Sequence, residues 1–204
     1  MNKVMVEKNK SLKEHSLVIF KSDVLPRAIL GKIMIRFEDA GFKLVGAKLA
    51  KPDRFILEKH YNGDMEWIES IGDKTKKTFE SQGKNIKDEL GTDDSIALGL
   101  DVKEKLIEYL LDQPIVVTVW EGSPGTISWI RKLVGSTAPG TADMGTIRGD
   151  LSHDSQLSAP FKGRAIKNLI HSSGNEKEAK AEISLWFGDD FKPIEYSRTD
   201  EIFF

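Results

Sequence analysis

The chain contains no cysteine, which excludes disulfides, thiolate metal sites and cysteine nucleophiles. It also lacks an excess of either charge: 30 basic residues stand against 32 acidic ones, a formal net charge of −2. Such a balance gives no general footprint for nucleic acid or an anionic membrane, so an anionic ligand must be held by a local cluster of cations. No apolar run approaches the roughly 20 residues needed to cross a bilayer. The N-terminal "MNKVMVEKNKSLKEHS" is basic but has no continuous apolar stretch, unlike a secretory leader. A cytoplasmic protein is the default expectation. Neither G-x-x-x-x-G-K-[ST] nor G-x-G-x-x-G occurs, which removes the P-loop and the Rossmann phosphate turn. H-x-x-x-H and H-E-x-x-H are absent too, so no protein-built zinc site is expected.

What is present suits a soluble α/β protein of 204 residues, read as a single domain over 1–204. "SLVIFKSD" (16–23) reads as a strand that meets a polar turn at Lys21. In 28–42, Leu30, Ile33, Met34 and Phe37 recur at helical spacing and Gly41 is placed to end the helix. Extended character returns at 43–51, and Pro52 and Asp53 open a short helix to residue 61. Residues 62–100 are rich in Lys, Asp, Glu and Gly, with few apolar anchors; they read as an irregular segment holding one or two short helices. A helix follows at 101–113, with Leu106, Ile107, Leu110 and Leu111 on one face. "PIVVTVWEG" (114–122) is the strongest strand, apolar on both faces as a central strand is. A helix at 126–135 precedes a long loop at 136–150 and irregular chain at 151–165. "AIKNLI" (165–170) is the candidate last strand, and 175–187 a helix with Ala179, Ile183 and Trp186 inward. Helices alternating with strands favour a sheet of about four strands covered by helices.

Three groups of residues carry chemistry. Lys21, Arg131, Thr137 and Arg148 would together form a polyphosphate site, because guanidinium forks match phosphate oxygens and an ammonium acts as a point charge. Any one of them alone reads as a surface residue. Glu182 lies on the border of a buried helical stripe, where a carboxylate is costly unless bonded. It is either a rim glutamate or the acceptor for an imidazole N–H, which would fix the tautomer and free the other nitrogen to attack. His171 is the nearest imidazole in sequence. His15 reads as solvated, His60 as a cation suited to the end of a helix, and His153 as part of an irregular loop.

The chain resembles the nucleoside diphosphate kinases. The resemblance rests on "LVIFKSD", "GKIMIRFEDAGFKLVGAKL", "EKHY", "PIVVTVWEG", "GTIRGD", "NLIHSSG" and "AEISLWF", in that order across residues 16–190. It implies a ferredoxin-like α/β sandwich with a four-stranded antiparallel sheet. It implies transfer of the γ-phosphoryl group of a nucleoside triphosphate to a nucleoside diphosphate by ping-pong kinetics, through a phosphohistidine at His171. Glu182 matches the glutamate that orients this histidine and Ser173 the serine of the same network. Lys21, Tyr61, Arg131, Thr137, Arg148 and Asn168 match nucleotide-holding positions, with Lys21 and Asn168 at the ribose and Arg131, Thr137 and Arg148 at the phosphates. Magnesium would arrive on the phosphates with no protein cage, the base preference would be broad, and a homo-oligomer, hexamer or tetramer, is implied.

The chain departs from the family pattern at Ser22, Ser172, Gly174 and in the "GST" around Thr137. Residues 1–15 read as an N-terminal extension and 62–100 and 151–165 as insertions. The first of these lacks the family's Arg-Pro-Phe-Phe, so Trp67, Phe79, Val102 and Leu106 are the candidates to hold the base. Two other readings compete: a non-catalytic ferredoxin-like module that senses nucleotides, and a kinase whose 62–100 segment adds a lid or a partner surface.

Overall fold

The computed structural model describes residues 13–199; most of the N-terminal extension and the last aromatic residues lie outside them. The elements are β1 (Glu14–Phe20), α1 (Leu30–Asp39), β2 (Lys43–Ala50), α2 (Arg54–His60), α3 (Met65–Glu80), α4 (Ile86–Leu90) and α5 (Ser95–Leu111). They continue with β3 (Ile115–Gly122), α6 (Thr126–Val134), a 3-10 turn (Pro139–Thr141), α7 (Ile147–Leu151), α8 (Ser158–Phe161), β4 (Ile170–Ser172) and α9 (Glu176–Phe187). The strands form one antiparallel sheet in the order β2-β3-β1-β4, the expected ferredoxin-like arrangement.

Alternation along β1 feeds two cores. Val18 and Phe20 join Ile33, Phe37 and Trp120 on one face of the sheet, while Leu17 and Ile19 join Leu57, Leu110 and Trp186 on the other. With both faces covered, β3 is buried at every position but its last, which explains its unbroken apolar sequence. Phe37 stacks on Trp120 with centroids 4.9 Å apart, an arrangement worth about 0.5–1.5 kcal/mol beyond the area it buries.

Residues 62–100 are not irregular. They hold α3, α4 and the first turns of α5, which begins at Ser95 and not at residue 101. Side-chain caps substitute for apolar content here: Asp64 accepts from the Trp67 amide, Asn85 from Lys87 and Asp94 from Ala97. Two glycines let α3 and α5 touch along their backbones. A Cβ on Gly72 would stand 1.8 Å from the Ser95 carbonyl oxygen, and one on Gly99 2.0 Å from that of Ile68. A third small core of Phe79, Ile86 and Leu98 completes the segment.

Two further expectations are corrected. The 136–150 loop contains the 3-10 turn and most of α7, and α7 carries Arg148. The last strand is Ile170–Ser172, later and shorter than 165–170, because the chain before it turns sharply. Leu169 has φ of +66°, and the Ile170 amide donates across it to the Asn168 carbonyl at 2.7 Å. That is a γ-turn with a non-glycine residue in the left-handed region, a strained arrangement found mostly where function needs it.

Candidate active site

Immediately after this turn, β4 sets His171 opposite Ile19 of β1. Its Nε2 lies 2.7 Å from Glu182 Oε1. The other carboxylate oxygen, Oε2, accepts the Ser173 hydroxyl at 2.6 Å, and Ser173 Oγ in turn accepts the Leu17 amide at 3.2 Å. Each of the three sits where sequence reasoning needs it: His171 and Ser173 alternate on a strand path, and Glu182 faces them from α9, whose Ala179 and Trp186 are buried. Burial pushes the Glu182 carboxyl up, and the neighbouring His171 and His60 imidazoles with the Ser173 hydroxyl outweigh it, leaving it below its ordinary value. An ionised Glu182 must accept a proton from Nε2, so the neutral imidazole carries its lone pair on Nδ1. Among the described residues nothing bonds that nitrogen.

His60 is the residue that sequence reasoning misplaced. It is not a solvated cation at a helix end: its side chain is 1% exposed, and its ring meets that of His171 edge-on with centroids 4.7 Å apart. Burial, with the positive character of His171 nearby, pushes its pKa down to about 3, so it is neutral. The Trp186 indole donates to its Nδ1 at 3.3 Å, and the 3.8 Å approach of that nitrogen to Glu182 is therefore no ion pair. The available signal was spacing: His60 follows the buried Leu57 by three residues on α2 and so shares its face.

On the other side of His171 lies a cleft of about 670 Å³ lined by Lys21, Tyr61, Arg131, Thr137, Arg148 and Asn168, so the fold brings all six together. Lys21 ends β1 in the interior, 4% exposed. It donates to Asn168 Oδ1 at 2.8 Å, and the Asn168 amide group donates to the Thr137 carbonyl at 2.9 Å. Burial first, and then the Arg148 charge, push the Lys21 pKa down to about 7, against a smaller opposing pull from Asp23. Arg148 is spread over three carbonyls, those of Asn168, Gly135 and Ile170, which leaves two N–H groups for a ligand. Its pKa falls to about 10, through burial and then through the like charge of Arg131. Arg131 is exposed at the mouth, and its guanidinium has no hydrogen bond or ion pair among the described residues. The Tyr61 hydroxyl is buried and has no partner there either.

The departures at the edge of the site have local accounts. Ser22 is buried and donates to the Tyr109 carbonyl, tying the end of β1 to α5. Gly174 donates its amide to Glu178 at 2.9 Å, as part of a reciprocal cap in which Asn175 accepts from the Glu178 amide. Of the residues proposed to hold the base, Val102 and Leu106 line the cleft, whereas Trp67 and Phe79 do not; Phe79 is fully buried in the third core.

The sequence profile described as nucleoside diphosphate kinase matches residues 14–69 and 99–191. The chain belongs to the nucleoside diphosphate kinase family. The residues between the two matched stretches, 70–98, include most of α3, all of α4 and the start of α5. The nucleoside diphosphate kinase of Pyrobaculum aerophilum is 40% identical over 177 residues, 87% of this chain and 96% of the relative. That of Borreliella burgdorferi is 34% identical over 190 residues, 93% of this chain and 96% of the relative. Among solved structures, an NDP kinase from Pyrobaculum aerophilum superposes with a TM-score of 0.84 at 37% identity, covering 90% of this chain and all of that one. A transition-state mimic of the Borrelia burgdorferi enzyme, with bound vanadate and ADP, gives 0.71 at 32% identity, covering 94% and 96% of the two chains. No helix among the described residues is long and apolar enough to cross a membrane.

Proposed function

We propose that this chain is a nucleoside diphosphate kinase that works through a phosphohistidine at His171. The observation that carries the reading is the division of labour around the ring. Nε2 is held by an ionised carboxylate, which leaves Nδ1 free, and the ring lines a cleft that also brings together the cations Lys21, Arg131 and Arg148. In the first half-reaction the Nδ1 lone pair forms a bond to the γ-phosphorus as the bond to the β–γ bridging oxygen breaks, and the nucleoside diphosphate leaves with that electron pair. The ring becomes a phosphorylated imidazolium whose Nε2–H remains on Glu182, and Ser173 keeps that carboxylate in place. The second half-reaction runs the same steps in reverse onto another diphosphate. No general base is needed, because a neutral imidazole is nucleophilic near pH 7. Phosphoryl transfer asks mainly for alignment and neutralised oxygens, the tasks of Arg131 and Arg148 at the phosphates and of Lys21 and Asn168 at the sugar. Thr137 and Tyr61 complete this set.

Magnesium enters with the substrate, on the phosphate oxygens. Among the described residues, the groups that come closest to a metal site are His60, His171 and Glu182. Two imidazoles and a carboxylate already bonded twice do not suit an ion that prefers six oxygens. A homo-oligomer belongs to the same reading, and light scattering would give its order.

Incubation with γ-labelled ATP should yield an acid-labile, base-stable phosphoprotein, and a His171→Ala chain should take up none. Equal labelling of the variant would sink the reading. Nucleotide binding without any label would convert the protein into a sensing module.

A further inference from the structure

Lys21 is a buried cation on a flexible four-carbon stem, beside the like charge of Arg148. Its main chain is fixed, because the Lys21 amide donates to the Leu169 carbonyl at 2.7 Å in the turn before β4. Its ammonium donates to Asn168 Oδ1 at 2.8 Å and also lies over the Tyr109 ring of α5, 5.2 Å from the centroid. That ring is fastened at both ends by the two residues that follow Lys21. The Ser22 hydroxyl donates to the Tyr109 carbonyl, and the Tyr109 hydroxyl donates to Asp23 Oδ1 at 2.5 Å. Burial, with the Asp23 carboxylate alongside, pushes the Tyr109 pKa up, so the hydroxyl keeps the proton it donates. Neither side chain lines the cleft of His171. Tyr109 is 7% exposed, and Asp23 lines a separate groove with Arg27 and Lys167.

We infer that Tyr109 and Asp23 are positioning residues that aim the Lys21 ammonium at the sugar of the nucleotide. The inference rests on the kinase reading and deepens it, since it takes Lys21 to meet the substrate there. The negative face of an aromatic ring attracts a cation without taking any of its N–H groups. An ammonium has three of these and Asn168 accepts one, so the others stay available to a ligand. The bond from the hydroxyl to Asp23 holds the ring at its far end and so keeps its face beneath Lys21. With the ring removed, the ammonium has less to oppose the repulsion of Arg148. Its stem then samples rotamers that must be given up when nucleotide binds.

Calorimetric titration with ADP in a double-mutant cycle tests this without relying on turnover. Tyr109→Leu loses the ring face, Tyr109→Phe loses only the bond to Asp23, and Asp23→Asn keeps the shape but loses the charge. ADP affinity should fall about tenfold in the first and about threefold in the other two. In a Lys21→Met chain, where no ammonium is left to aim, the same changes should alter affinity by less than about twofold. With ATP as donor, the loss should appear in KM more than in kcat. Circular dichroism and melting curves establish folding, and Tyr109→Phe with Asp23→Asn carries the test if Tyr109→Leu does not fold. A ring that merely packs the core would weaken ADP equally with and without Lys21, and that result overturns the inference. Wild-type affinity in every folded variant would overturn it too. Coupling to Lys21 with no phosphoenzyme from labelled ATP would sustain the positioning role and overturn the kinase reading alone. A wild type that binds no ADP would overturn both.

Discussion

The two sides of His171 differ in how complete they are. Toward α9 the groups that hold the ring each have a partner: Nε2 on Glu182 Oε1, Ser173 on Oε2, the Leu17 amide on Ser173; His60 Nε2 beneath them is buried and has none among the described residues. Toward the cleft the balance is deliberately poor, with Lys21 and Arg148 buried side by side and Arg131 adding to the repulsion. The first side prepares the nucleophile whether or not substrate is present. The second is a set of cations whose mutual repulsion only an anion relieves, so substrate phosphate supplies the missing half. The difference teaches that orientation in this protein is stored in hydrogen bonds and affinity in unsatisfied charge.

Breaking the complete side should cost most in rate. Glu182→Gln keeps the shape but loses the anion that selects the tautomer, and single-turnover phosphorylation should slow roughly 10²- to 10³-fold. Substrate affinity should stay nearly constant; a large change in it instead would mean that Glu182 acts on the cleft. Breaking the charged side should show in linkage. The folded-state pKa of Lys21 is about 7, below the 10.5 of an ordinary lysine. Between those limits the unfolded chain binds the extra proton, so stability rises with pH by up to about 1.4 kcal/mol per unit. Lys21→Met should flatten that rise and stabilise the unliganded protein below pH 7, read from urea midpoints. A bound phosphate restores the Lys21 charge, so wild-type nucleotide binding near pH 8 should take up a proton, visible as buffer-dependent binding heat that the variant lacks.

His60 sharpens the comparison from beneath, because it is a neutral partner on the complete side. Its pKa is pushed down to about 3, so its contribution is whole above 6.5, the ordinary histidine value, and is lost as pH falls toward 3. Wild-type stability should therefore drop across that window by up to about 1.4 kcal/mol per pH unit. His60→Gln should show a shallower slope in the same urea series, and an unchanged slope would return His60 to a passive packing role. The smallest effect belongs to Gly174→Ala. A Cβ there would come 2.5 Å from Glu178 Oε2, the end of a flexible side chain. Moving it should cost less than about 1 kcal/mol in thermal stability and leave transfer unaffected.

The proposed catalytic set was legible as a candidate because each member sits in a local pattern with few alternatives. His171 closes an apolar run, Glu182 interrupts a helical stripe, and Lys21 ends a strand. The helices of 62–100 were not, since their order comes from caps and from two glycines that admit backbone contact, neither of which raises apolar periodicity. The last strand was read too early for a similar reason. Residues 165–169 have strand-like composition, but Leu169 adopts a positive φ that no side-chain type announces. Phe79 was a reasonable choice for the base by chemistry alone, and it serves instead as core for a segment that otherwise has little.

By itself, then, the sequence determined most of the periodic elements, the class of fold and the candidates for the reacting groups, because spacing of two and of three to four residues dictates which side chains share a face. The tertiary structure alone decided which nitrogen of His171 is free and that His60 is neutral. It also decided that residues 79 and 161, remote in the chain, meet ring against ring. Those are properties of burial and of distance between segments remote in the chain, and a local pattern carries no measure of either.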